Sequence, residues 1–181
     1  MTPIRHFFAS PPLNSKRLLI RGIGIQERMR PQIIDRPAGT GDYLFMYFYE
    51  AAWIRTREGL RKHEPGTLVL WAPEDGHYYG NKDHTWKHSW LHCDGSFIRR
   101  CITSQRLPLN SPIRLPDAAM IEKYLFHIDE EVTQFAQPDE QIVRNLIENW
   151  LCEIRRIVRG GARKQTVPRE LLELKSYIDS N

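Results

Sequence analysis

Up to Pro116 the apolar positions fall in short runs separated by turns. Leu18–Ile20, Ile23–Ile25 and Gln32–Ile34 predict short strands, and Asp35-Arg36-Pro37-Ala38-Gly39-Thr40-Gly41 a turn. Tyr43 to Tyr49 is a dense aromatic run of strand length, and its composition favours strand over helix. Trp53–Arg57 and Thr67–Trp71 predict further strands, bounded by Glu58-Gly59, Glu64-Pro65-Gly66 and Pro73-Glu74-Asp75-Gly76. Residues 86–92 alternate bulky and polar side chains as a half-buried strand does. Short strands with turns every ~8–12 residues and no intervening helix point to a sandwich or barrel. Residues 1–16 carry few periodic apolar positions and read as an arm or loop.

Beyond Pro116 the period changes to that of a helix. Asp117 can cap a helix carrying Met120, Ile121, Tyr124, Leu125, Ile128, Val132 and Phe135 on one face. After Gln137-Pro138-Asp139, steps of three and four run from Ile142 to Val158, and Gly160-Gly161 stops the helix. Residues 162–168 form a polar linker. Pro168 then opens a last helix that includes Leu171, Leu172, Leu174, Tyr177 and Ile178. The expectation is a mostly β chain with C-terminal helices: a closed or double-sheet β-barrel followed by helices.

Composition narrows the classes. The 181 residues suit one domain plus a short extra element. Twenty-six basic and 22 acidic residues give a net charge of +4, too small to name nucleic acid as a partner. No run of about 18 apolar residues exists, and the N-terminus lacks a signal peptide's apolar stretch. The three cysteines, Cys93, Cys101 and Cys152, are far apart and form no CxxC pair, as expected of reduced thiols in a cytoplasm.

The densest chemistry lies between Gly76 and His92, where His77, Tyr78, Tyr79, His84, Trp86, His88, Trp90 and His92 gather. Trp86, His88, Trp90 and His92 share a strand face. Three readings stay open: a buried aromatic core, an aromatic-lined ligand pocket, or a metal site. Against the metal, histidines four apart on a strand stand roughly 13 Å apart at ~3.3 Å per residue, and no His-x-His pair occurs. Arg36, in its turn, is either a solvated charge or an anchor for hydroxyls or a carboxylate. The stripe Ile142 or Val143, Leu146, Trp150, Ile154 and Ile157 either covers the barrel or forms a coiled-coil seam. The basic run Arg155, Arg156, Arg159, Arg163 and Lys164 reads as a solvated helix end. Nucleophile, Walker, dinucleotide and HExxH motifs are absent, so no catalytic residue is expected.

Four motifs in order then resemble the sensor domain of AraC-family transcriptional regulators. They are Asp35-Arg36-Pro37 with Gly41-Asp42-Tyr43, Glu64-Pro65-Gly66-Thr67-Leu68-Val69-Leu70, Pro73-Glu74-Asp75-Gly76-His77-Tyr78-Tyr79-Gly80, and Trp86-Lys87-His88-Ser89-Trp90-Leu91-His92. The resemblance implies a mostly β fold, a cupin-like (jelly-roll) β-barrel at 17–115, with an N-terminal arm at 1–16 and two antiparallel dimerisation helices at 116–161. It also implies a linker and the first helix of a truncated helix-turn-helix domain at 162–181. The implied effector is a small sugar, a monosaccharide, held by Arg36, Tyr79, His88 and Trp90. Arg36 and His88 would bond hydroxyls while Trp90 stacks on the sugar's apolar face. No cofactor and no metal are implied. The implied partners are a second copy through helix 139–159 and DNA, the latter only through the missing C-terminal domain. A metal-dependent cupin isomerase or dioxygenase using His77, His88 and His92 is the alternative.

Overall fold

The computed structural model describes residues 2–161 and 177–178. Within residues 2–161, ten strands and three helices follow one another: β1 (Ile4–Phe7), β2 (Leu19–Met29), β3 (Gln32–Arg36), β4 (Tyr43–Phe48), β5 (Ala52–Thr56), β6 (Gly59–His63), β7 (Thr67–Trp71), β8 (His77–Asn81), β9 (Trp86–Asp94), α1 (Ser96–Gln105), β10 (Ile113–Arg114), α2 (Ala119–Gln134) and α3 (Glu140–Val158). The strands form a six-stranded sheet, β1-β2-β9-β4-β7-β10, and a four-stranded sheet, β3-β8-β5-β6. All the pairings are antiparallel. The expected mostly β, jelly-roll architecture is present as two facing sheets that hydrogen bonds do not close into one ring.

The larger sheet is covered on both faces, so its strands lose the simple polar–apolar alternation. Every residue of β4 and β7 is buried. One face carries Ile23, Ile25, Phe45, Tyr47, Leu68, Leu70, Leu91 and Cys93 against the three helices. The opposite face carries Leu44, Met46, Phe48, Val69, Trp71, Trp86 and Trp90. It packs on Ala52, Ile54 and Tyr79 of the small sheet. Period-two geometry sorts these sets: each second residue enters the inter-sheet layer, and its neighbours meet the helices.

Helices α2 and α3 run antiparallel, since Lys123 near the start of α2 pairs with Glu153 near the end of α3 at 2.8 Å. At the other end the Asp139 N–H donates to Glu131. Asp139 caps α3 by accepting from the Gln141 and Ile142 amides. Asp117, expected as the cap of α2, accepts from the Ala119 amide at 2.9 Å but stands one residue before the N-cap position, Ala118. Gly160 closes α3 with φ 74°, its N–H reaching Ile157 O.

Several sequence expectations change. Asp35 and Arg36, read as the start of a turn, belong to β3. Helix α1 lies where none was predicted. Its Phe97, Ile98, Cys101 and Ile102 have helical spacing, but four buried apolar positions among basic and hydroxyl residues give a weak signal. The first two short strands are one long strand, β2. Residues 4–7 of the arm are not loop: they pair with Gly22–Ile25 as an edge strand of the large sheet. Of the proposed coiled-coil seam, Val143, Trp150 and Ile154 are buried in the chain's own core, while Ile142 is exposed. The expected linker and final helix lie outside the described residues except Tyr177 and Ile178, which are helical.

Candidate functional site

The register of the two sheets builds a cavity between them. In the large sheet, β9 sets Trp90 opposite Met46 of β4 and Gly24 of β2, and His88 opposite Phe48 and Glu27. In the small sheet, Ile34 pairs with Tyr79 and Arg36 with His77. Paired residues share a face, so Arg36 and Ile34 turn to the same side as Tyr79. The resulting cavity of about 50 Å³ is lined on one wall by Arg36, Ile34 and Tyr79, and on the other by Glu27, His88 and Trp90. All four sequence-predicted site residues, Arg36, Tyr79, His88 and Trp90, therefore come together. Arg36 is exposed at the mouth; the other three are buried.

Glycines make room for the indole. A Cβ on Gly24 would overlap the Trp90 ring, and one on Gly22 would press on it. The alternating Gly22-x-Gly24 is the footprint of Trp90 lying flat against β2.

Glu27 reaches the cavity through a β-bulge. Pairing between β2 and β9 shifts between Gly24 and Glu27, with Gln26 at φ 54°. Without the extra residue, strand alternation would send Gln26 inward and Glu27 out. With it, Gln26 faces the helices, where its side chain donates to Glu122 at 2.7 Å. The Glu27 carboxylate accepts from Trp90 Nε1 at 2.6 Å. It also pairs with Arg5 at 3.1 Å, and His88 Nε2 stands 3.6 Å away. Sequence reasoning did not find Glu27, because a bulge breaks the period on which face assignment rests.

Strand β1 closes the cavity. Phe7 stacks on Trp90 with centroids 4.5 Å apart and ring planes at 27°. The Phe7 ring thus lies against the indole, although it is itself 53 % exposed. On the other side of β1, His6 meets Asp129 of α2 at 2.8 Å. One short strand touches the cavity with Arg5 and Phe7 and the helix pair with His6.

Burial sets the protonation of the interior. It pulls the His88 imidazole down to about 3, with Arg5 adding a smaller push the same way. His77 is likewise drawn down by burial, to about 4. Both are neutral at pH 7. The Tyr79 phenol is pushed up to about 12 by burial and stays protonated. Asp42, fully buried, meets His92 at 3.0 Å and Arg21 at 3.1 Å. Burial raises its pKa, but those two partners and Thr40 more than reverse this and leave it below the ordinary value.

Several buried polar atoms have no hydrogen-bond partner: both ring nitrogens of His77, Nδ1 of His88, and Nε1 of Trp71 and Trp86. Among the described residues no three His, Cys, Asp or Glu side chains gather as a metal-ligand set. His77, His88 and His92 thus lie in the same layer without forming one. Cys93, Cys101 and Cys152 are free thiols. No described helix is long and apolar enough to cross a membrane.

No protein-family model matches the chain. No curated protein matches it. Among solved structures, the AraC-like transcriptional activator CuxR is 12% identical over 76% of this chain and 52% of its own, with a TM-score of 0.48. ToxT from Vibrio cholerae is 10% identical over 84% of this chain and 61% of its own, TM-score 0.46. The Cupin_2 domain of an XRE-family transcriptional regulator from Enterobacter cloacae is 14% identical over 51% of this chain and 97% of its own, TM-score 0.34. The structural neighbours thus include AraC-like regulators and cupin domains. The chain spans about half the length of CuxR.

Proposed function

We propose that this chain is the effector-sensing module of a transcription regulator of the AraC type. Its inter-sheet cavity takes a small hydroxylated molecule such as a monosaccharide. The observation that carries this reading is the convergence of Arg36, Tyr79, His88 and Trp90 on one cavity. They come from three strands of two different sheets, and the resemblance read from the sequence names the same four. Trp90 supplies an apolar face for a sugar ring; Arg36, Tyr79 and neutral His88 supply hydrogen bonds for hydroxyls.

The cavity is too small for a sugar as long as Phe7 covers Trp90; about 50 Å³ holds a few waters. A ring that stacks on Trp90 takes the place of Phe7. Displacing Phe7 pulls on β1, and β1 holds α2 through His6 and Asp129. This gives ligand entry a mechanical route to the helices. The equilibrium between arm positions is then shifted by whichever one the ligand binds better. The helices carry that shift to a second copy of the chain and to the DNA-binding domains of the whole regulator.

The test is a thermal-shift panel of pentoses, hexoses and the sugar acids derived from them on the chain and on Phe7→Ala. A specific sugar at 100 times its Kd adds ~2.7 kcal/mol of stability. Phe7→Ala removes the competing ring, so it should bind that sugar more tightly, and Trp90→Phe should weaken it. Failure of every sugar to stabilise either protein overturns the proposal.

A further inference from the structure

Resting on that cavity as an effector site, we infer that its effector carries an anionic group, a sugar acid such as an aldonate or a uronate, held at the mouth by Arg36. The inference comes from the balance of charges and donors around the cavity. Three fully charged side chains line it: Arg5, Glu27 and Arg36. Arg5 and Glu27 neutralise each other at 3.1 Å. Arg36 has no carboxylate partner among the described residues: none of the ion pairs includes it. Its neighbour Asp35 turns to the opposite side of β3, because adjacent strand residues alternate. His88 is neutral, so it adds no charge that could balance or reinforce Arg36. The cavity is left with one uncompensated positive charge.

The hydrogen-bonding groups lean the same way. The only carboxylate in the lining already accepts from Trp90 Nε1 and pairs with Arg5. The remaining groups are mostly donors. Trp86, 1 % exposed, has an Nε1–H with no partner. An indole N–H only donates, and a guanidinium carries five donors and no acceptor. The Tyr79 hydroxyl is held protonated beside them. An occupant that satisfies this wall must be rich in acceptors and negatively charged. A planar carboxylate fits the guanidinium fork, and ring hydroxyls fit the Glu27, His88 and Tyr79 edge. A neutral sugar would leave the Arg36 charge without its counterpart.

The experiment is titration calorimetry at low salt with matched pairs: galacturonate against galactose, glucuronate against glucose, and gluconate against glucose. The chain, Phe7→Ala and Arg36→Gln are each titrated. The expected result is one acid binding at least tenfold more tightly than its neutral parent, with affinity falling as salt rises. Arg36→Gln should erase that preference, the acid losing at least tenfold more affinity than its neutral parent, while the melting curve of the free chain stays unchanged, which separates a charge contact from a folding defect. A neutral sugar that binds as well as its acid, or an acid preference that survives in Arg36→Gln, overturns the inference and leaves the effector site standing. If no compound binds the chain or Phe7→Ala, the effector-site reading falls and the inference with it.

Discussion

Trp90 is held at three points: its ring between Gly24 and Phe7, and its Nε1–H on Glu27. Half of this arrangement was legible in the sequence. A strand with Trp86, His88, Trp90 and His92 at every second position announces one bulky face, and the register confirms that they share it. The other half was not legible. Glu27 looks like an exposed residue in a polar stretch, since only the positive φ of Gln26 turns it inward. Removing the carboxylate strands a buried indole N–H, which costs about 1–3 kcal/mol. Glu27→Ala should therefore lower the unfolding free energy measured by urea titration by that amount. Glu27→Gln keeps an acceptor for Trp90 and loses only the half-exposed Arg5 pair, so its unfolding free energy should stay within about 1 kcal/mol of the parent. Equal losses in the two variants would show that the hydrogen bond to Trp90 contributes nothing.

At the scale of elements, the strands with plain alternation or dense aromatics were readable, and β7 has its predicted bounds. Strand β6 was not, because its residues are polar and exposed on an edge, where hydrogen bonding to β5 rather than burial makes the strand. Helix α1 was hidden in the same way by its basic residues. Strand β1 is short and forms only by adding to the edge of β2. The layer between the sheets has a consequence for acid stability. His77 and His88 are held neutral by burial, down to about 4 and about 3, while an unfolded histidine titrates near 6.5. The charges His77 feels from its surroundings are His92, Arg36, Asp42 and Asp75. Between pH 6.5 and about 4 the unfolded chain binds protons at both residues and the folded chain does not. Stability therefore falls as pH falls through this window, by about 1.4 kcal/mol per pH unit for each histidine. Below the ordinary value of 3.8, the lowered pKa of Asp42 adds to the loss in the same direction. Urea unfolding at pH 7.5, 6 and 5 measures the slope, and His88→Gln should reduce it by about half. A flat profile over that range would show that both histidines reach water in the folded chain.

At the scale of the whole molecule, the larger sheet separates two jobs: its inner face shapes the cavity and its outer face carries the helices. Helix α3, which packs against both α1 and α2, spends Val143, Ile147, Trp150, Leu151 and Ile154 on the chain's own core. Apolar side chains are nevertheless left along one edge of α3: Ile142 is 46 % exposed, and half-buried Leu146 and Ile157 lie within about 60° of it around the helix. Nineteen helical residues span about 28 Å, enough for one side of a helix-pair interface. We propose that two copies pair through this face. The seam is narrower than the sequence stripe suggested, since Trp150 and Ile154 cannot serve the core and a partner at once. Ile142→Glu tests it cleanly. An exposed helix position tolerates the change within about 0.5 kcal/mol, so loss of pairing cannot be mistaken for unfolding. Sedimentation equilibrium should show the parent chain as a dimer and Ile142→Glu as a monomer with an unchanged melting curve. A variant that stays dimeric would move the interface off α3. A parent that is monomeric at every concentration would leave β1 and the cavity without a second copy to report to.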